Sequence, residues 1–310
     1  AYYNKRSKDV IMNVSTPPST GFTNRWDNVA TILNRGVEFS IKSRNLIGEF
    51  QWTTELNFAR NYNELEGIGN YTPDAVSGGT NDSRVIPGSP VGSFYLMEFS
   101  HVDSETGLPV YLDREGNETF DYDNNERQYV GDGLPEFVGG MTHSFRWRNW
   151  DLRALATFSY GAKIFDSSSK RQLGVVSSWN MRTEILDRWR QPGDEATFPR
   201  LTLDETTYGL PSGFPWWNTS LFVFDASYLR LRNLTLGYTI PVVGEGPHAA
   251  RNLRINASVT NLFTITNFPG LDPEVVRDFE NAQDRNMSPN VTYLTPPQER
   301  AFTLGINLQF

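Results

Sequence analysis

The sequence predicts an all-β chain: about eight antiparallel strands of a membrane β-barrel wall, with long extracellular loops. Three observations carry this reading. Apolar and polar residues alternate with period two in segment after segment, and short and long connections alternate along the chain. No run approaches the ~18 apolar residues that a membrane-crossing helix needs. In lipid only helices and closed barrels satisfy their backbone polar groups, so a membrane protein with this sequence crosses by strands.

The alternation runs Val37, Phe39, Ile41 against Glu38, Ser40, Lys42, then Trp52, Thr54, Leu56, Phe58 against Thr53, Glu55, Asn57. Met141, His143, Phe145, Trp147 and Leu152, Ala154, Ala156, Phe158, Tyr160 follow, with Leu155 out of phase. Leu234, Leu236, Tyr238, Ile240, then Leu253, Ile255, Ala257, Val259, and last Phe302, Leu304, Ile306, Leu308, Phe310 complete the set. Such spacing puts one set on each face of a sheet. Strands are expected at about 2–14, 30–44, 49–63, 138–148, 150–165, 222–240, 252–265 and 299–310; Lys5-Arg-Ser-Lys8-Asp9 breaks the phase of the first.

Period two alone suits a soluble sandwich equally, such as a secreted carbohydrate-binding β-protein. The connections favour the barrel. Those at 45–48 and 148–150 are tight, and a further turn falls near 241–251. Those at 64–137, 166–221 and 266–298 far exceed the ~12–15 residues usual for structureless loops. Outer-membrane barrels place short turns on the periplasmic side and long loops outside.

Composition agrees. The 28 basic against 36 acidic residues argue against a nucleic-acid surface, and the absence of cysteine excludes disulfides and thiolate metal sites. Tyr2, Tyr3, Trp52, Trp147, Trp150, Tyr160, Tyr238, Phe263 and Phe310 lie near strand ends, where barrels carry aromatic girdles, although strands favour aromatics generally. The chain opens on Ala1-Tyr-Tyr-Asn-Lys-Arg6 with no apolar signal core, as expected of a processed or partial chain.

Several segments are similar to landmarks of the SusC/RagA family, in the same order. They include Asp225-Ala-Ser-Tyr-Leu-Arg-Leu-Arg-Asn-Leu-Thr-Leu-Gly-Tyr-Thr-Ile-Pro241, Leu253-Arg-Ile-Asn-Ala-Ser-Val-Thr-Asn-Leu-Phe-Thr-Ile-Thr266 and Gly270-Leu-Asp-Pro-Glu274. Asn34-Arg-Gly-Val-Glu-Phe39, Val91-Gly-Ser-Phe-Tyr95, Tyr160-Gly-Ala-Lys-Ile-Phe165, Leu186-Asp-Arg-Trp189 and Pro297-Gln-Glu-Arg-Ala-Phe-Thr-Leu-Gly305 join them. The resemblance implies the carboxy-terminal portion of a barrel of about 22 strands, with the plug, the TonB-interacting segment and the earlier strands outside this chain. It also implies import of an oligosaccharide or peptide together with a SusD-like surface lipoprotein, in a Bacteroidota-type outer membrane. A passive porin or a structural barrel segment is the alternative.

Nothing in the sequence points to catalysis or a cofactor. His101, His143 and His248 are far apart without ligand spacing, and there is no phosphate loop or nucleophile elbow. The Asp/Asn/Gly-rich stretch 113–125 offers hard oxygen ligands for calcium, but Arg114 and Glu115 intrude, and a solvated acidic loop fits better. Residues 178–190 read as a short helix with Trp179, Ile185, Leu186 and Trp189 on one side. Tyr208, Phe214, Trp216 and Trp217 are candidate ligand-stacking aromatics, with loop packing as the alternative. Arg153 and Arg254 belong to the polar phase, whereas Arg230 and Arg232 share parity with Leu234 and Leu236. Either a bulge near Asn233 or a position beyond the lipid band accounts for them, with pairing to nearby acids the default. The row Phe302, Leu304, Ile306, Leu308, Phe310 resembles the signal read by barrel-assembly machinery, or Phe310 simply anchors the strand at the headgroup layer.

Overall fold

The computed structural model describes residues 1–73, 75–77, 83–173, 180–201, 218–241, 252–277 and 287–309. Eight long strands form one antiparallel sheet. They are β1 (Tyr2–Ser15), β2 (Asn24–Ile47), β3 (Phe50–Gly67), β4 (Phe137–Trp147), β5 (Trp150–Tyr160), β6 (Tyr228–Pro241), β7 (Asn252–Thr266) and β8 (Ala301–Gln309). Each pairs with its neighbours in chain order, from β8 at one edge to β1, and the short strand Val76–Ser77 adds beyond β1.

Paired residues share a face, so rows can be followed across the sheet. One row reads Leu304, Ala257, Leu236, Leu152, Phe145, Trp52, Leu46 from β8 to β2. The adjacent row, on the opposite face, reads Thr303, Ser258, Thr235, Arg153, Ser144, Thr53, Arg44. Leu304, Ile306 and Leu236 stand 75%, 68% and 44% exposed within the chain. A bare apolar face of this extent belongs against lipid.

Strands β4 and β5 measure that lipid band. Each has 11 residues and carries aromatics at both ends: Phe137 and Trp147, Trp150 and Tyr160. At ~3.4 Å per residue and ~40° tilt they span about 25 Å, the height of an outer-membrane apolar band. Phe137 stacks on Tyr160 at 4.9 Å and Trp150 packs on Tyr238 at 4.5 Å. The tight turns after β2 and β4 are joined by Arg148 to Glu49 at 2.7 Å.

The structure refines several expectations. The phase break in β1 is a register shift between Ser7 and Val10, with Asp9 at φ 56°, inside an otherwise continuous strand. Tyr3 pairs with Gly36 on the polar face and donates to Asn61 at 2.8 Å, so it is not part of a girdle. A Cβ at Gly36 would meet the Tyr3 hydroxyl and the Arg60 carbonyl, which accounts for glycine there. The expected strand 150–165 breaks after Tyr160, because Lys163–Asp166 joins a separate sheet between Val223–Asp225 and Val291–Thr292. For the same reason the strand expected at 222–240 starts only at Tyr228. The helix expected over 178–190 is a single 3-10 turn, Thr183–Asp187, among the described residues; Ile185 is buried, Leu186 is exposed, and Trp179 lies outside the described residues.

The long loops are not independent. Phe94, Leu96, Met97 and Tyr111 from the first, Phe165, Leu173, Ile185, Phe198 and Phe222 from the second, and Val291 from the third form one buried cluster. A second cluster of Met12, Val14, Val29, Ala30, Leu65, Ile68, Val76, Val85 and Met287 packs where β1, β2 and β3 rise above the lipid band.

Candidate functional site

The two arginines of β6 organise the loop-side rim. Leu231 pairs with Phe263 and Ala156, and Asn233 with Thr260 and Leu155, so Arg232 is left unpaired in both ladders. This is the bulge the phase change near Asn233 requires. Opposite it, Asn261 adopts φ 52°, a left-handed conformation that Asn tolerates better than most residues. The bulge returns Arg230 to the polar face, level with Thr157 and Thr264.

Four segments meet at these side chains. Arg230, 2% exposed, holds Asp272 at 2.5 Å and Glu274 at 3.2 Å. Arg232 donates to both oxygens of Glu274 at 2.6 Å and to Gln298 Oε1 at 2.6 Å. Asp272 also accepts from the backbone amides of Glu274 at 3.0 Å and Gln298 at 3.1 Å, and Asn261 Nδ2 donates to the Glu299 carbonyl at 3.0 Å. Burial pushes the Asp272 carboxyl up, but the Arg230 hydrogen bond and charge, with those two amides, outweigh it and hold it below the usual carboxylate range. Two cations face two anions, so the clasp is neutral. It ties the third loop to the wall.

A second dock joins the first two loops. The tip 103–107 turns on Asp103, whose carboxylate accepts from the Thr106 hydroxyl at 2.5 Å and the Thr106 amide at 2.7 Å and is thereby held low. Trp189 covers this tip and donates from Nε1 to the Ser104 carbonyl at 2.7 Å. Gly107, at φ +70°, lies against the indole, and a Cβ there would overlap it.

The inner, polar face carries a surplus of positive charge. Arg254 is bidentate to Asp151, with the Nη2–Oδ2 distance 2.8 Å, and Lys42 pairs with Glu55 at 2.5 Å. Arg44, Arg146 and Arg153 are exposed and have no ion-pair partner among the described residues. Arg146, Arg153 and Arg254 line a cavity of about 430 Å³ with Gln51, Thr53, Ser144 and Asp151. Arg153 and Arg254 thus lie on the face their phase predicts, and Arg44 and Arg146 join them for the same reason.

The remaining sequence candidates separate. Phe302, Leu304, Ile306 and Leu308 are exposed on the apolar face of β8; Phe310 lies outside the described residues, as do Tyr208, Phe214, Trp216, Trp217 and His248. In the 113–125 stretch, Asp113 is occupied by its own loop, accepting from Asn117 N at 2.8 Å, Asn117 Nδ2 at 3.0 Å and Glu115 N at 2.9 Å. Asp123 caps the 3-10 turn Asn124–Glu126. No three acidic or histidine residues among the described ones are grouped to hold a metal ion. The sequence reading did not assign roles to Asp272, Glu274, Gln298 and Asn261. The available signal was opposite charge in the landmarks 225–241 and 270–274.

No family model matches the chain. It is 28% identical over 331 residues to TonB-dependent receptor P3 of Formosa agariphila, covering 100% of this chain and 32% of that protein. It is 25% identical over 324 residues to TonB-dependent receptor SusC of Bacteroides thetaiotaomicron, covering 99% and 29%. The chain therefore spans about a third of the length of the curated relatives it matches. Among solved structures, the RagAB peptide transporter superposes over all of this chain and 32% of its own, with a TM-score of 0.81 at 22% identity. The RagAB peptide importer in its closed-closed state gives 0.78. The chain is thus similar from end to end to part of these TonB-dependent receptors, and its wall, with one lipid face and one polar face, is part of an outer-membrane β-barrel.

Proposed function

We propose that this chain is the carboxy-terminal wall and part of the outer roof of a TonB-driven importer of a nutrient, an oligosaccharide or a peptide. The observation that carries the reading is the fusion of three long loops into one buried core clasped to the wall. Such a roof holds a ligand site rigidly above the lumen, whereas a passive pore has no need of one. The inner arginines Arg44, Arg146 and Arg153 suit a lumen filled by another protein segment, the plug, which lies outside this chain. A SusD-like lipoprotein is the partner expected above the roof. Tyr208, Phe214, Trp216 and Trp217 are assigned to ligand stacking, and the row ending at Phe310 to barrel assembly.

The test is uptake by cells whose full-length gene is deleted or complemented, given defined oligosaccharide and peptide pools. Uptake of one pool that requires both the gene and TonB supports the proposal. Uptake that persists without TonB indicates a passive channel.

A further inference from the structure

The loop-side rim carries two arginines on the lipid-facing side of the wall. Trp52, Phe58, Arg60 and Tyr62 share one face of β3, and Arg35 pairs with Tyr62 from β2. Ala59 pairs with Val138, so Arg60 stands level with Phe137 and Tyr160, the aromatic ends of β4 and β5 on the loop side. Arg35 lies two positions beyond Val37, the partner of Arg60, and so about 5 Å further from the hydrocarbon. Both arginines are exposed, and neither has a carboxylate partner among the described residues. The Arg35 guanidinium rests 4.4 Å from the centre of the Tyr62 ring.

A cleft opens beside them. The ladder between β3 and β4 ends at Ala59 and Val138, while β3 itself runs on to Gly67. Between that stretch of β3 and residues 132–136 lies a cavity of about 570 Å³, and Arg35, Arg60, Tyr2 and Tyr62 all line it. The nearby carboxylates do not neutralise the pair. Asp132 accepts from the Tyr129 hydroxyl at 2.6 Å and the Leu134 amide at 2.9 Å, and Glu136 lies against Gly161. Further up, Glu64 accepts from the Tyr62 hydroxyl at 2.8 Å, and Glu66 pairs with Arg6 at 2.6 Å.

An arginine level with an aromatic girdle buries its stem in hydrocarbon and holds its charged head at the headgroup layer. Two such heads on diagonal neighbours can converge on one anion, and the guanidinium fork matches the oxygens of a phosphate. The pair faces away from the lumen, so neither a plug nor a transported solute meets it. Basic pockets at this depth recognise anionic headgroups. On the loop side the surrounding leaflet is the outer one of a bacterial outer membrane, whose glycolipids carry phosphorylated sugars as headgroups. We infer that Arg35 and Arg60, with the cleft beside them, form a binding site for the phosphate of an outer-leaflet glycolipid.

The experiment uses the full-length protein, stripped of lipid in an uncharged detergent, and reads bound lipid by native mass spectrometry. The probe is lipid A, the phosphorylated glycolipid of such leaflets, set beside the same lipid with its phosphates removed. Wild-type protein should bind the phosphorylated form more tightly by roughly tenfold to a hundredfold, the scale of one or two charge-assisted contacts. Arg35→Gln/Arg60→Gln should lose that preference, and Arg300→Gln, at an exposed arginine just before β8, should keep it. Arg60→Gln alone serves if heat-modifiability shows that the double variant does not assemble. Equal binding of the two lipids, an unchanged preference in the Arg35 and Arg60 variants, or an equal loss in Arg300→Gln would each overturn the inference. So would displacement by inorganic phosphate at the lipid's own concentration, which assigns the site to a soluble anion.

Discussion

The rim clasp yields a quantitative prediction. Arg230 and Asp272 are 2% and 6% exposed and lie 2.5 Å apart. Removing one partner of a buried ion pair costs about 3–5 kcal/mol, because the other charge is left desolvated and alone. Glu274 remains 3.2 Å from Arg230 when Asp272 is lost, so Asp272→Ala belongs at the low end, about 3 kcal/mol. At about 1.4 kcal/mol per decade this raises the opening equilibrium of the third loop by roughly a hundredfold. Arg230→Met strands Asp272 instead and belongs at the high end. The double variant Arg230→Met/Asp272→Leu removes both charges and should recover most of the loss. Limited proteolysis of folded barrels, read as cleavage within 267–300, measures the opening, while heat-modifiability confirms that the wall is intact. Cleavage of Asp272→Ala at the wild-type rate, or a double variant no better than the singles, would refute the clasp as the loop's anchor. Acid gives an independent check. The folded carboxyl is depressed, so its contribution is present in full above the unfolded value, ~3.9, and disappears as pH falls through the folded one. Wild-type loop opening should therefore rise only below about pH 4, and that acid-dependent component should be absent from Arg230→Met/Asp272→Leu.

Ala156→Arg puts a charge on the lipid face six positions from Trp150 and four from Tyr160, and should cost about 2–4 kcal/mol in reversible unfolding from membranes; Leu155→Arg, on the inner face, should cost clearly less, and equal costs would reverse the facing. Gly107→Val and Trp189→Ala both break the dock between the first two loops; truncating a packed tryptophan costs about 3–5 kcal/mol, so each should expose residues 103–107 to protease on intact cells, and continued protection would show the dock to be incidental. Phe310→Ala separates assembly signal from anchor: pulse-chase delay with normal melting of the finished barrel indicates a signal, and wild-type insertion kinetics would dismiss it. Alanine at both Trp216 and Trp217 should weaken ligand capture without altering heat-modifiability, and unchanged ligand affinity would remove these residues from the site.

All eight wall strands were legible in the sequence because a lipid-facing wall writes its face locally: every second residue must be apolar, whatever lies elsewhere in the chain. Two of the interruptions also carried local marks. The lost phase at Lys5–Asp9 and the parity change between Leu231 and Leu234 are both bulges. The roof was different. Its core joins Phe94, Phe165, Phe222 and Val291 across distant stretches of chain, and loop residues with no fixed period do not announce which face they bury. The expected helix at 178–190 failed for that reason: Ile185 and Trp189 are apolar to meet other loops, not to share a helical side. The charges of Arg230 and Arg232 were visible from the start, but their partners come from 270–274 and 298, which only the tertiary path brings within 3 Å. Local periodicity thus determined the wall and its two faces; long-range packing alone decided the roof and its clasp.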